Sequence, residues 1–184
     1  MPRTWESDRL LLREFGSAHA AAVRDYGVRS RDFHSQWDPV RPADFWELAV
    51  VAARLAEQVA DAHNDRAFCL CLTLKDDPER VLGVANLRNI IRGALMGCHL
   101  GYSLAPDAVG QGYMTEAVKR TVRIAFDELG LHRVEANVIP RNVRSIAVAE
   151  RAGFTREGFS ARYLRIGGRW EDHIHFACIN DAMV

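Results

Sequence analysis

The chain has 184 residues, enough for one domain with a core that needs no disulfide staples, and too few for two full ones. Lys plus Arg and Asp plus Glu number 24 each, a formal net charge of zero that removes the global electrostatic case for a nucleic-acid binder. No apolar run is long enough to span a membrane, the first residues do not read as a signal peptide, and Cys69, Cys71, Cys98 and Cys178 form no C-x-x-C pair, so a cytoplasmic protein with reduced thiols is expected.

Residues 9–15 are a short apolar run flanked by charge and predict a first strand. Ser17 is placed to cap a helix running to about Asp25. The segment 27–41, with Trp37, Pro39 and many charges, has no clear period and reads as a loop or broken helix beside a substrate entrance. Pro42 opens a long helix, with Phe45, Leu48, Ala49, Ala52, Leu55, Ala56 and Val59 as its apolar stripe, ending near Asn64. Strands 68–74, 81–91 and 96–104, separated by Asp76-Asp77-Pro78 and Arg92-Gly93, make an antiparallel meander. Cys69 and Cys71 share one face of the first of these as small buried hydrophobes.

A glycine-bearing loop, 109–113, leads into a helix reaching Leu129, which Gly130 ends as a left-handed cap. Strand 133–139 and Pro140-Arg141-Asn142 lead into a helix ending at Ala152, with Gly153 as its stop and Phe154 packing behind. Strands 155–166 and 170–179 are joined by a Gly167-Gly168 hairpin turn. The order β-α-α-β-β-β-α-β-α-β-β, without repeats or linkers, predicts one α/β domain over residues 1–184.

The chemistry concentrates where strand, glycine loop and helix meet. Gly110 and Gly112 let backbone approach a ligand, and the unpaired N–H groups of the next helical turn favour phosphate oxygens. A Walker loop is excluded because Tyr113 and Met114 follow Gly112, and a Rossmann fingerprint because position 115 is Thr and the preceding strands form a meander. His173 and His175 have no partner spacing suited to a metal, so none is predicted.

The segments Gly101-Tyr102-Ser103-Leu104 and Gly110-Gln111-Gly112-Tyr113-Met114-Thr115-Glu116-Ala117 resemble the acetyl-CoA loop of GNAT N-acetyltransferases, in particular the RimJ/RimL branch. Leu131-His132-Arg133-Val134-Glu135-Ala136-Asn137 is similar to that family's fifth strand, and Asn142-Val143-Arg144-Ser145 with Arg151-Ala152-Gly153-Phe154 to its Asn-x-x-Ser helix. Asp8-Arg9-Leu10-Leu11-Leu12-Arg13 and the Tyr163-Leu164 and Gly168–His173 stretches extend the likeness over nearly the whole chain.

The resemblance implies the GNAT fold, with a mixed, mostly antiparallel sheet of about seven strands flanked by about four helices. It implies acetyl-CoA as cofactor: Tyr102, Ser103 and Leu104 along pantetheine; Gly110, Gln111, Gly112, Tyr113, Met114 and Thr115 around the pyrophosphate; Asn142 and Ser145 near the pantetheine and thioester, with Asn137 a further cofactor-binding candidate. Arg151, with Arg141 and Arg144, flanks the place where an anionic cofactor would lie. Three positions depart from the pattern. Val109 replaces the first polar residue of the loop motif, Met114 its last small residue, and Ala149 stands where many relatives carry a tyrosine acid.

Amine attack on a thioester requires a neutral amine and favours a hydrogen-bonded thiolate. An N-terminal amine has a pKa of about 7.7–8.0 and lysine about 10.4, so neutralising lysine costs roughly 3.5 kcal/mol more at about 1.36 kcal/mol per unit. Ser145 is the candidate thiolate partner, and His99 and Glu135 are candidate bases or amine-polarising groups. Trp37, Tyr163 and Asp172 are candidates for the acceptor pocket. The expected acceptor is a protein N-terminal amine, such as that of a ribosomal protein. A small-molecule amine, or acyl-CoA binding without turnover, stays open, as do monomer and homodimer.

Overall fold

The computed structural model describes residues 3–183. The strands are β1 (Thr4–Glu6), β2 (Leu10–Glu14), β3 (Phe68–Leu74), β4 (Gly83–Ile91), β5 (Gly97–Leu104), β6 (Arg133–Val138), β7 (Thr155–Ile166) and β8 (Arg169–Ile179); β6 alternates in burial, whereas the apolar run of β3 is buried on both faces. Segments with helical spacing fold as α1 (Ala20–His34), α2 (Leu48–His63), α3 (Tyr113–Arg123) and α4 (Val143–Arg151). Among the described residues the strands form one eight-stranded sheet in the order β1-β2-β3-β4-β5-β6-β8-β7. Every neighbouring pair is antiparallel except β5 and β6.

Adjacent residues of β5 show how the helices are layered. The Tyr102 hydroxyl reaches the Ser145 carbonyl of α4, whereas the Ser103 hydroxyl meets the Tyr26 hydroxyl of α1. Successive strand residues point to opposite faces, so α1 and α2 cover one side of the sheet and α3 and α4 the other. Leu70, Leu72 and Leu87 on the central strands are fully buried between these layers. Each such side chain stabilises the fold by about 1.5–3 kcal/mol.

The mixed, mostly antiparallel sheet and its flanking helices match the expected fold, with one strand more than the seven anticipated. The addition is β1, a three-residue strand whose Trp5 is buried and donates its indole N–H to Glu128 at 2.6 Å. Three residues are too few to display a period. Ser17 caps nothing: it opens a 3-10 turn, Ser17–His19, without a side-chain cap bond. The first helix also runs on to His34, through Gly27, where a loop or broken helix is expected.

Gly27 explains the misreading. A Cβ there would lie 2.0 Å from the Trp46 ring, so glycine serves close packing rather than a break. Trp46 must reach α1, and Arg24 donates to the Trp46 carbonyl at 3.0 Å. Residues 42–47 therefore form turns, and α2 begins at Leu48 instead of Pro42. Phe45 packs beneath the Arg54 guanidinium at 4.0 Å. The buried stripe of α2 is correspondingly Val51 and Leu55, while Leu48, Ala49 and Ala56 of the expected stripe face solvent.

Gly27→Ala gains roughly 1 kcal/mol of helix propensity but forces the Trp46 ring aside at about 1–3 kcal/mol. Chemical denaturation should show a net loss of stability in the wild-type background and a net gain in a Trp46→Ala background. A double-mutant cycle without that reversal of sign would remove the packing explanation.

Candidate active site

β5 and β6 pair only over Gly97↔Arg133, Cys98↔Val134 and His99↔Glu135. Beyond those pairs the strands part, although β5 continues to Leu104 and β6 to Val138. On their outer sides they stay paired to β4 and β8. Their inner edges therefore carry backbone N–H and C=O groups without a strand partner, a demand that a ligand's amides can meet. The gap opens into a cleft of about 2190 Å³ lined by Gly101 to Leu104 of β5 and Ala136 to Val138 of β6. That exceeds the ~300–1,000 Å³ of an ordinary small-ligand pocket and leaves room for a cofactor together with a second substrate.

The glycine loop forms one wall. Gly110 and Gly112 have φ of 88° and 82°, a left-handed conformation that a side chain would strain. Gly112 is the N-cap of α3 and supplies no side-chain cap, leaving the first-turn N–H groups to an outside acceptor. α4 differs: Asn142 Oδ1 accepts from Ser145 N at 3.2 Å, so that helix start is already capped. The bare dipole end of α3 is thus the place for an anion. Lys119, Arg144 and Arg151 line the same cleft, and none has an ion-pair partner among the described residues.

A clamp holds the loop from behind. Arg9 Nη1 donates to the Gln111 carbonyl at 3.0 Å, Arg9 Nε to Glu116 at 2.8 Å, and the guanidinium lies 4.4 Å from the Tyr113 ring centroid. Glu116 also accepts from Arg9 N and from the Ser7 hydroxyl, each at 2.7 Å. Burial pushes the Glu116 carboxyl up, but these donors and the Arg9 charge outweigh it and hold the carboxyl below its ordinary range. A depressed carboxylate gives its full contribution above its unfolded pKa and loses it as pH falls through the lowered value. The clamp is therefore intact at neutral pH.

Tyr102 and Ser145 form a second constellation. The Ser145 hydroxyl donates to the Tyr102 hydroxyl at 2.9 Å, and Tyr102 donates to the Ser145 carbonyl at 2.9 Å. Burial pushes the Tyr102 phenol up to about 12, despite the opposing hydrogen bond from Ser145. Both hydroxyls are therefore neutral donors, on the α4 side of the strand gap.

The other side of the gap is built from β8, β7 and residues 35–41. Gly167 N donates to the Asp38 carbonyl at 3.0 Å, tying this segment to the β7–β8 hairpin. Arg141 lies 4.5 Å from the Trp37 ring centroid and donates to Gln36 O at 3.1 Å and Glu171 at 2.8 Å. Trp37 thus stands at the cleft margin on this segment. Asn137 lines the cleft and contacts His175 Nδ1 at 2.6 Å through Oδ1, while His175 Nε2 meets the Ser160 hydroxyl at 2.8 Å.

Of the residues singled out in the sequence, Tyr102, Ser103, Leu104, Gly110, Gly112, Tyr113, Met114, Thr115, Asn137, Asn142, Ser145, Arg151 and Trp37 all line the cleft. Met114 is 7% exposed and packs into the core, leaving its backbone for any ligand. Five others do not line it. His99 and Glu135 face each other at 3.2 Å around a separate niche of about 10 Å³, because they belong to the last pair before the strands part. Glu135 is further engaged by Arg133 at 2.6 Å. Gln111 turns away toward the Asp107 carbonyl at 3.3 Å. Asp172 accepts from Arg162 N at 2.8 Å, where a bulge in β7 gives Arg162 a φ of 52°. Tyr163, on the same bulge, packs against His173 and His175.

Two features escaped sequence reading. The Arg9–Glu116 clamp joins residues 107 apart and leaves no local signal. His173 is the only histidine among the described residues that is buried, at 3% exposure, and it lines the cleft; its alternation with His175 on a half-buried strand was the available hint.

The family follows from this arrangement. Residues 9–155 match the acetyltransferase (GNAT) domain, and the chain belongs to that family of N-acetyltransferases. Among its relatives, the probable N-acetyltransferase YjcK of Bacillus subtilis is 38% identical over 86% of this chain and 88% of its own length. The [ribosomal protein uS5]-alanine N-acetyltransferase of Escherichia coli is 33% identical over 91% of this chain and 86% of its own. The structure of Mycobacterium smegmatis RimJ in complex with CoA-disulfide superposes with a TM-score of 0.90 at 26% identity, covering 98% of this chain and 88% of that one.

Glu116→Gln removes the charge that holds Arg9 against the loop, with a cost of about 1.5–3 kcal/mol expected for a charged hydrogen bond. Coenzyme A affinity measured by calorimetry should fall by roughly 10- to 150-fold. Unchanged affinity would show that the clamp has no part in ordering the loop.

Proposed function

We propose that the protein transfers acetyl from acetyl-CoA to a protein N-terminal α-amine by direct attack in a ternary complex, with residues 1–184 acting as one catalytic domain. The observation that carries this reading is the parting of two parallel strands beside an uncapped helix start. The unpaired inner edge of β5 suits the amides of pantetheine, and the N–H groups from Gly110 to Thr115 suit a diphosphate. The RimJ structure with CoA-disulfide and the alanine N-acetyltransferase relative support the cofactor and the acceptor class. So does a cleft large enough to hold a polypeptide end beside the cofactor.

Tyr102 and Ser145 serve the leaving group. Ala149 is fully buried and cannot supply the hydroxyl that many relatives place there, and β5 supplies a phenol instead. Complete proton transfer from a phenol near 12 to a thiolate of ordinary thiol pKa, about 8.5, runs uphill by roughly 5 kcal/mol. The pair therefore stabilises the thiolate by hydrogen bonding, and solvent delivers the final proton.

Two measurements test the reading. Thiol release from acetyl-CoA, screened against N-terminal peptides, lysine side chains and free small amines, should be fastest for a peptide N-terminus. A small amine turned over faster than every peptide would replace the acceptor class, and binding without turnover would reduce the protein to an acyl-CoA-binding module. Tyr102→Phe should lower kcat by about 10- to 150-fold, the value of one hydrogen bond to a charged group. Its coenzyme A affinity should stay within about threefold of wild type. An unaltered kcat would exclude Tyr102 from the chemistry.

A further inference from the structure

We propose that His173 is the general base that takes the proton from the acceptor ammonium, acting from the face of the sheet opposite the Tyr102–Ser145 pair. The proposal rests on the transferase reading above. His173 lies on β8 and lines the cleft although it is 3% exposed. Its Nδ1 is 3.0 Å from the Glu171 carbonyl oxygen. A carbonyl can only accept, so Nδ1 carries the ring proton and Nε2 keeps the lone pair. Among the described residues no group hydrogen-bonds Nε2. The Tyr163 ring, 5.5 Å away and edge-on, fixes the plane of the imidazole.

The other candidates are committed elsewhere. His175 engages Asn137 through one nitrogen and Ser160 through the other. His99 and Glu135 bind each other outside the cleft. His34 lines the cleft and has Nε2 at 2.9 Å from the Leu104 carbonyl, which places it over the strand assigned to the cofactor. His173 instead lines the cleft on the hairpin side, with its Nε2 left without a hydrogen-bond partner among the described residues.

The groups facing His173 are His175, Glu171 and Asp172 on its own strand and Tyr163 on β7, with Arg141 reaching Glu171 from the β6–α4 turn. Burial pulls the imidazole below its ordinary value, outweighing the Glu171 carbonyl bond, and the His175 charge adds to the effect. The ring is therefore neutral at pH 7, and its basic form is lost only as pH falls through that lowered value.

The reaction balances as follows. The ammonium gives one proton to Nε2, and the neutral nitrogen forms the C–N bond to the thioester carbonyl. As the C–S bond breaks, the nitrogen loses a second proton to solvent, the thiolate takes one from solvent, and His173 returns its proton to water. One proton is released per turnover.

The test is the pH dependence of thiol release for wild type, His173→Gln and His34→Gln with a peptide acceptor and a hydrazide acceptor, alongside coenzyme A calorimetry. His173→Gln should bind coenzyme A within about threefold of wild type but lose about 100-fold in kcat near neutral pH. The loss should shrink to under about tenfold above about pH 9, beyond the amine's own pKa of about 7.7–8.0, and for the hydrazide, whose nitrogen is already neutral. His34→Gln should keep the acidic limb of the wild-type profile. A merely structural role would give one loss at every pH and for both acceptors, and that result overturns the proposal. So would a His173→Gln kcat within about threefold of wild type, or disappearance of the acidic limb in His34→Gln. A wild type that binds coenzyme A and acetylates no amine overturns the transferase reading and this proposal together.

Discussion

The molecule is organised around a ladder that stops early. Two parallel strands in the middle of an otherwise antiparallel sheet exchange hydrogen bonds for three residue pairs and then separate. Elsewhere each strand keeps its neighbour, so the sheet survives the gap, and the unpaired backbone is concentrated at one place. The backbone groups left without strand partners line a cleft, where water or a ligand has to meet them. A ligand with its own amide groups restores the missing pairs. Because the helices on the two faces are distinct, the gap also joins two chemically different environments: hydroxyl donors from Tyr102 and Ser145 on one side, and His173, Asn137 and the β7–β8 hairpin on the other.

Electrostatics follow the same division. A chain with no net charge still places Lys119, Arg144 and Arg151 along the cleft without an ion-pair partner among the described residues. Other arginines are spent within the fold, Arg9 on Glu116 and Arg133 on both Glu135 and Glu157. Net charge averages over these two uses and conceals both. Placement decides which cations can meet an anion: Arg9 braces the glycine loop and does not line the cleft, whereas Arg151 does.

What could be read from residue order was whatever carries a local rule. Gly110 and Gly112 adopt the left-handed backbone their identity suggests, Asn142 caps α4, Gly153 ends it with Phe154 buried behind, and Gly167-Gly168 makes a hairpin with both φ positive. The resemblance to one family joined these signals into a fold, and most of the residues it assigned to a cofactor line a single cleft. Three kinds of feature stayed hidden. β1 is too short for a period. Gly27 reads as a breaker until Trp46 is known to fill its place. His99 and Glu135 look available in sequence, and their mutual pairing appears only when the register shows them at the last rung before the gap. Asp172, expected to face an amine, is drawn off by a bulge that no residue in β7 announces.

The tether between residues 35–41 and the hairpin is slight. One backbone hydrogen bond and the reach of Arg141 hold it, and Val40 at its tip is 74% exposed. Pro39 and Val40 are exposed and Trp37 is only half-buried, so few apolar contacts secure this segment and it belongs to the low-stability end of the fold. The glycine loop is held by Arg9 and shares none of these contacts. The two walls of the cleft are therefore secured independently, and one can yield while the other keeps its shape.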